Sequence, residues 1–461
     1  MSSHTVNGNV SFWYDEVGIP SPQPTLAESL TADVCIVGAG YTGLWTAYYL
    51  KKASPNLRVV MLEERFAGYG ASGRNGGWLT NSITGGRDQY VASHGKTAVT
   101  AFQVAMNDTV DEVIRVAGVE GIDAAIVKGG ELNIASNPAQ LARIRQWADD
   151  EHAWGFDDVT LLDAAQSAAR INIPGVSAGI WHPHCARIHP AKLVQGLRAS
   201  VLALGVELYE NTRVTEIAPH IAHTARGSVT ADHIVRATEG FTASLKGEHR
   251  TWLPMNSSIV VTEPLSDTLW QEIGWDGRET LGDMAHVYFY AQRTPDNRIA
   301  MGGRGVPYRF GSRTDNDGTT HDSTVESLSG LIKRYFPAAA GANIDRAWSG
   351  VLGVPRDWAA TVGLDATTGI AWAGGYVGTG VTATNLAGRT LCDLIVGRDT
   401  ELTKLPWVNH QTRKWEIEPL RWIATHGLYA AYSLADARED KSPSASTSAI
   451  ARVANVITGR H

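Results

Sequence analysis

The sequence predicts an α/β fold in which a parallel sheet is interleaved with a second domain built on an antiparallel sheet. Three observations carry this. A short apolar run, Thr31 to Gly38, ends in glycines and reads as a buried parallel strand. A helical pattern from Gly43 to Lys52 and a second strand, Arg58 to Glu63, complete a βαβ unit with a right-handed crossover. Farther on, apolar and polar residues alternate over Asn256–Glu263 and His286–Tyr290, the period of strands with one buried face.

The remaining elements follow from local signals. The stretch to about Leu26 reads as an extended lead-in pinned by Phe12, Trp13 and Tyr14. Val99, Phe102, Met106, Val110, Val113 and Ile114 form a helical stripe over Thr97–Val116. Asn137-Pro138 and His189-Pro190 open two further helices, the second closed by Gly205, and Val206–Glu210 reads as a strand. Gly369–Gly374 is strand-like and leads through Gly375–Gly380 into a helix with Leu386, Leu391 and Leu394 on one face. Trp415 to about Ala435 reads as a last amphipathic helix, and Asp440–Ser448 as a loose tail.

Bulk properties exclude several function classes. Of the 461 residues 43% are apolar and 19% charged, with a net charge of -7. No basic run supports nucleic-acid binding. The apolar stretch Trp422–Ala435 is too short for a membrane span and carries His426. Three scattered cysteines, Cys35, Cys185 and Cys392, read as reduced thiols of a cytoplasmic protein, and the polar N-terminus shows no secretory signal. Nothing in the sequence sets an oligomeric state.

Gly38-Ala-Gly40-Tyr-Thr42-Gly43 fits the dinucleotide fingerprint G-x-G-x-x-G between a strand and a helix, the Rossmann-type arrangement. The first glycine makes the turn, the second admits the pyrophosphate, and the third lets helix and strand pack closely. Glu63 ends the second strand where a ribose-binding acid belongs. This motif does not separate NAD from FAD. The second glycine-rich run, Gly68–Gly77, does: it offers close backbone approach again, towards a second ring system. His182-Pro-His184-Cys185 fits no standard zinc spacing and reads as a loop, so no metal is expected.

On these residues the chain resembles the FAD-dependent amine oxidoreductases of the D-amino-acid oxidase/glycine oxidase superfamily, and Gly70–Gly77 is especially similar to the γ-glutamylputrescine oxidase branch. Ala186–Val194, Leu253–Leu265 and Gly374–Val381 resemble other segments of that family. The resemblance implies FAD contacts from Gly38, Gly40, Thr42, Gly43 and Glu63, then from Ser72, Arg74, Asn75 and Gly76 beside the ribityl chain and flavin ring. It also implies contacts from Val214 at adenine and from Gly378, Thr379, Gly380 and Val381 at the pyrimidine end. Branches with covalent flavin carry a histidine in the segment matching 70–77 or a cysteine near the C-terminal loop. Here the first is absent and Cys392 falls inside a helix, so non-covalent FAD is expected.

The implied domains are 28–95, 165–250 and 350–400 for FAD and 96–164 and 251–349 for substrate, with 401–461 as C-terminal helix and tail. His286, Tyr288 and Tyr290 share a strand face, with Tyr288 and Tyr290 expected in the pocket, and Arg304 could hold a carboxylate; Tyr288 and Arg304 are the candidate catalytic residues. Trp348 and Arg356 are further pocket candidates. The implied reaction is oxidation of a primary or secondary amine or amino acid, with molecular oxygen as acceptor. Two alternatives stay open: a dehydrogenase passing electrons to a quinone or protein carrier, and a non-catalytic FAD-binding subunit.

Overall fold

The central strand Leu30–Val37 lies between two parallel neighbours, Val59–Leu62 and Ser228–Arg236. The structure, a computed structural model, describes residues 5–303, 305–314 and 317–458. Glu207–Tyr209 extends the sheet on one side, and Ile370–Gly374 pairs in parallel with the end of Ser228–Arg236. Because both faces of this sheet are covered, the stretches Val34–Val37 and Val59–Leu62 are apolar throughout. Alternate residues feed two different cores. Val34, Ile36, Val59 and Met61 pack against helices, while Cys35, Val37, Val60 and Leu62 pack with Val214, Ala222 and Leu245.

The helical face carries Tyr41–Ala53, Pro190–Ala203 and Gly380–Val396. It also carries the long helix Asp88–Val119, bent at Gly95. Val99, Phe102, Met106, Val110 and Val113 of that helix lie in the same core as the parallel sheet. This corrects the expected boundary at 96: the helix belongs with the first layer, although its amphipathic stripe reads the same whichever layer it covers. Conversely, Ala178–His182, expected within the first domain, is a strand of the second sheet.

That second sheet has nine strands and is mixed. Leu253–Thr262 and Ile344–Val354 form a long antiparallel pair running from Leu253 opposite Val354 to Val261 opposite Arg346. Ile299–Gly303, Tyr290–Arg293 and Thr280–Asp283 continue from it, and Glu131–Ala135 joins in parallel beside Thr280–Asp283. Trp270, Trp275, Phe289, Leu328 and Phe336 fill the core on one side of it.

Three local expectations change. Residues 284–289 form a turn, and the strand begins only at Tyr290, so His286, Tyr288 and Tyr290 do not share a strand face. The C-terminal helix starts at Leu420, after Pro419, a residue that disfavours helical backbone at the position before it. A further helix, Ala449–Thr458, follows the tail, with Ala451 and Ala454 packed against Tyr432 and Ala435. Among the described residues no helix is long and apolar enough to cross a membrane.

Candidate active site

The carboxyl ends of the parallel strands open onto an elongated cavity of ≈ 440 Å³, where doubly wound sheets place their ligands. Gly38 and Gly40 line it at the start of helix Tyr41–Ala53, whose free N–H groups suit phosphate. The Oγ of Ser72 accepts the N–H of Tyr41 at 2.8 Å, which ties the second glycine-rich run to that helix end. A side chain at Gly38 would sit 2.5 Å from the carbonyl of Ala237. Gly43 is not among the residues lining this cavity; it is pressed against Gly38 and Ile36, the packing role of the third glycine. Thr42 lines the cavity and its hydroxyl lies 3.2 Å from that of Tyr376.

Glu63 borders the same cavity and accepts the N–H groups of Ala39 (2.9 Å) and Arg65 (3.0 Å). Burial pushes its carboxyl up to about 7 despite those donors. Val214 lines the cavity near Thr212, and Gly378, Gly380 and Val381 line its opposite end. The fit to a dinucleotide is therefore physical: an acid at one strand end, a helix N-terminus at the cavity wall, and glycines where a Cβ would clash.

The cavity has a neighbour of ≈ 290 Å³, and the two share Ala71, Asn75, Leu352, Gly378 and Val381. Arg74, Gly76 and Thr379 line only this smaller cavity. Its far wall comes from the mixed sheet, with Glu131, Asn133, Ser257, Asp283 and Tyr290, while Trp78, Tyr288 and Trp147 also line it. The Tyr290 ring covers Gly76 and Gly302, and its hydroxyl lies 3.0 Å from Ser257 Oγ. Two carboxyls face the space. Burial raises Asp283 to about 7, partly offset by the Phe289 N–H and the Tyr335 hydroxyl. Burial would also raise Glu131, but His182, Thr80 and Asn133 outweigh it and hold that carboxyl below its ordinary value.

The loop between the cavities is held from outside. Four consecutive carbonyls accept side-chain donors: Gly73 from Ser11, Arg74 from Trp348, Asn75 from Trp13 and Gly76 from Gln292. This corrects the reading of Trp348. It is fully buried, lines neither cavity, and packs with Phe12 and Trp13 to hold the loop. Arg356 is also corrected: its Nε donates to both oxygens of Glu416, and it lines a separate cavity beneath the C-terminal helix. His286 turns away to Glu439. Arg304 lies outside the described residues.

Sequence reasoning missed several residues at this site. Glu239 accepts the N–H groups of Gly353, Gly375 and Tyr376, joining three segments around the elongated cavity, and burial raises it to about 7. Its place just beyond a parallel strand was the available signal. Glu131 and Asp283 were missed as well, though single acids within apolar strands are costly to bury and so stand out. Trp78 and Trp147 carried no comparable signal.

Comparison with known proteins agrees with this geometry. The family described as "DAO: FAD dependent oxidoreductase" matches residues 33–394. The chain is 31% identical over 404 residues to "Gamma-glutamylputrescine oxidoreductase" of Escherichia coli (strain K12), covering 86% of this chain and 90% of that protein. It is 24% identical over 355 residues to "Sarcosine oxidase subunit beta" of Rhizobium meliloti (strain 1021), covering 73% and 76%. Its fold is similar to that of glycine oxidase from Bacillus cereus, with a TM-score of 0.67 at 20% identity over 82% of this chain and 99% of that one. The chain belongs to the DAO family and is an FAD-dependent oxidoreductase.

Proposed function

We propose that this enzyme oxidises a primary or secondary amine, with FAD held non-covalently along the elongated cavity, the amine in the smaller one, and oxygen as electron acceptor. The single observation that carries the reading is the wall the two cavities share at Ala71, Asn75, Leu352, Gly378 and Val381. A ring system lying along that wall would touch both spaces. Gly38, Gly40 and Thr42 would then hold the pyrophosphate, Glu63 the ribose, Val214 the adenine, and Ser72, Asn75, Gly378, Gly380 and Val381 the flavin half. Arg74, Gly76 and Thr379 would face substrate, and Gly43 would act by packing alone.

When bound, FAD supplies the acceptor for the hydride from the C–H beside nitrogen. The chain's part is to hold the amine there, keep bulk water away and place charge. The first turn of helix Gly380–Val396 lines the shared wall, and its N-terminus favours negative charge on the ring. Among the described residues the smaller cavity offers one cationic side chain, Arg74, set 4.3 Å from the Tyr69 ring, against the two carboxyls and five aromatic rings (Trp78, Trp147, Tyr288, Phe289, Tyr290). That lining suits a cationic amine better than an amino-acid carboxylate, in keeping with the amine named in the Escherichia coli relative. Three buried free thiols favour a reducing compartment such as the cytoplasm.

The test is anaerobic mixing of the yellow holoprotein with amines and amino acids. Bleaching by an amine, followed by reoxidation in oxygen with hydrogen peroxide formed, is the expected result. Bleaching without reoxidation by oxygen would reassign the acceptor to a carrier. A holoprotein that no amine bleaches would overturn the reading.

A further inference from the structure

Beside the smaller cavity lies a polar one of ≈ 170 Å³, and the two share Ser82 and Trp147. Between them runs the strand pair Glu131–Ala135 and Ala178–His182, whose register sets Glu131 directly opposite His182. Glu131 opens onto the substrate side and His182 onto the polar side. Their facing atoms, Oε2 and Nε2, are 3.6 Å apart. Thr80 donates to the same carboxylate oxygen at 2.7 Å, and Asn133 to the other at 2.9 Å.

The outer half of this arrangement has open valences. His182 Nδ1 is buried without a protein partner, and so is Nδ1 of His184. A buried ring nitrogen left unpaired is costly, and a cavity lined by Asn81, Ser82, Gln103 and Asn107 has the polarity and room to supply water to it. His184 pairs through its other nitrogen with Asp158, which is exposed. A line of titratable groups therefore runs from the substrate cavity outward: Glu131, His182, the polar cavity, His184 and Asp158.

We propose that Glu131 takes the proton of the substrate's ammonium group, and that His182 positions this carboxylate and shares the proton with solvent through the polar cavity. The inference rests on the amine reading above. An N–H bond of the ammonium breaks and an O–H bond forms on Glu131, the electron pair staying on nitrogen. The O–H then breaks and an N–H forms at His182 Nε2, leaving carboxylate and imidazolium. No electron moves between molecules and no co-reactant is needed. The free lone pair is what lets the neighbouring C–H depart as hydride.

The surroundings are compatible with this path. Besides His182, the Cys185 thiol feels the Glu131 charge; burial and that charge both push it well above its ordinary value, so it stays neutral. His182 meets the rings of Trp147 and His184, and in the polar cavity Arg87 is paired with Glu151. Asp283, across the substrate cavity, is the rival acceptor.

The test measures the anaerobic bleaching rate of the holoprotein against pH, with γ-glutamylputrescine and putrescine as probes, for wild type, E131Q, H182N and D283N at equal FAD content. Glu131→Gln should slow bleaching on the order of a hundredfold at pH 7. The deficit should shrink by about tenfold per pH unit as free amine becomes available. His182→Asn should move the acid limb of the profile while sparing the alkaline plateau. Should E131Q not fold, a measurement on wild type replaces it: ¹⁵N-histidine spectra on adding tert-butylamine, which lacks a C–H beside nitrogen, should show His182 becoming doubly protonated. An E131Q rate unchanged, a loss independent of pH, alkaline rescue in D283N alone, or an unresponsive His182 would each overturn the proposal. Wild type that neither probe bleaches at any pH counts instead against the amine reading beneath it.

Discussion

The elongated cavity takes much of its wall from two contiguous stretches, Val37–Thr42 and Leu62–Asn75, while the smaller cavity draws on strands scattered from Glu131 to Leu352. The first is written as glycine spacing, because a phosphate or ring held there would approach the backbone itself and only a missing side chain would admit it. The second is written in side chains that meet only when Glu131–Ala135, Thr280–Asp283 and Tyr290–Arg293 have paired. A site built on backbone access should fail through sterics, and one built on side chains through lost chemistry.

The largest effect should come from Gly43→Ala. Its Cβ would lie 2.0 Å from the Gly38 carbonyl oxygen and 3.1 Å from Ile36. We expect protein purifying without the yellow colour, with FAD affinity down at least a hundredfold by titration. Next is Trp348→Ala, which removes a fully buried ring and the donor to the Arg74 carbonyl. Such truncations cost about 3–5 kcal/mol, so denaturant midpoint and FAD occupancy should fall together. Coupled loss would show that the wall between the cavities is supported from outside both.

Tyr290→Ala sharpens the contrast from the other side. It strips the ring from Gly76 and Gly302 and removes one of the hydrogen-bond partners of Ser257, so kcat/KM should fall on the order of tenfold to a hundredfold with FAD content unchanged. A loss of FAD instead would break the separation between the cavities. Smaller still is a pH effect on cofactor affinity. Glu63 is raised to about 7 in the free protein, whereas ribose hydroxyls donate best to its ionised form. FAD affinity should therefore be flat above about pH 7 and weaken by at most about tenfold per unit below it, and Glu63→Gln should abolish the slope. In the free protein the sign is the opposite: this raised carboxyl favours folding below about 4.5, and that contribution is lost as pH rises through about 7. Least affected should be Arg356→Ala, which breaks a partly exposed pair with Glu416 worth about 0–1 kcal/mol and should leave kcat/KM within about twofold.

Legibility in the sequence followed the same division. The glycine positions, the acid at Glu63 and the helix after Gly380 were readable because each is a local demand on the backbone. Phe12 and Trp13 were readable as anchors but not as anchors of the loop 73–76, since that contact spans some sixty residues of chain. The segment carrying Trp348 and Arg356 resembles one that returns to the flavin, which points to pocket residues; which way each side chain points along Ile344–Val354 and beyond it depends on register. His286 was misplaced for a related reason: alternation over five residues imitates a strand, and the Asp436 and Glu439 carboxylates that hold the turn lie far along the chain.

By itself the sequence determined the βαβ unit and its dinucleotide fingerprint, since these rest on short spacings that backbone geometry and sterics impose wherever they occur, and the resemblance of Gly70–Gly77 and Gly374–Val381 to known segments pointed to the oxidoreductase family. Only tertiary structure decided which layer the helix Asp88–Val119 covers, which acids line the smaller cavity, and that His182 faces Glu131 across two strands. Those outcomes depend on pairing register and on packing between distant segments, and side-chain direction within a strand reverses with a shift of one residue.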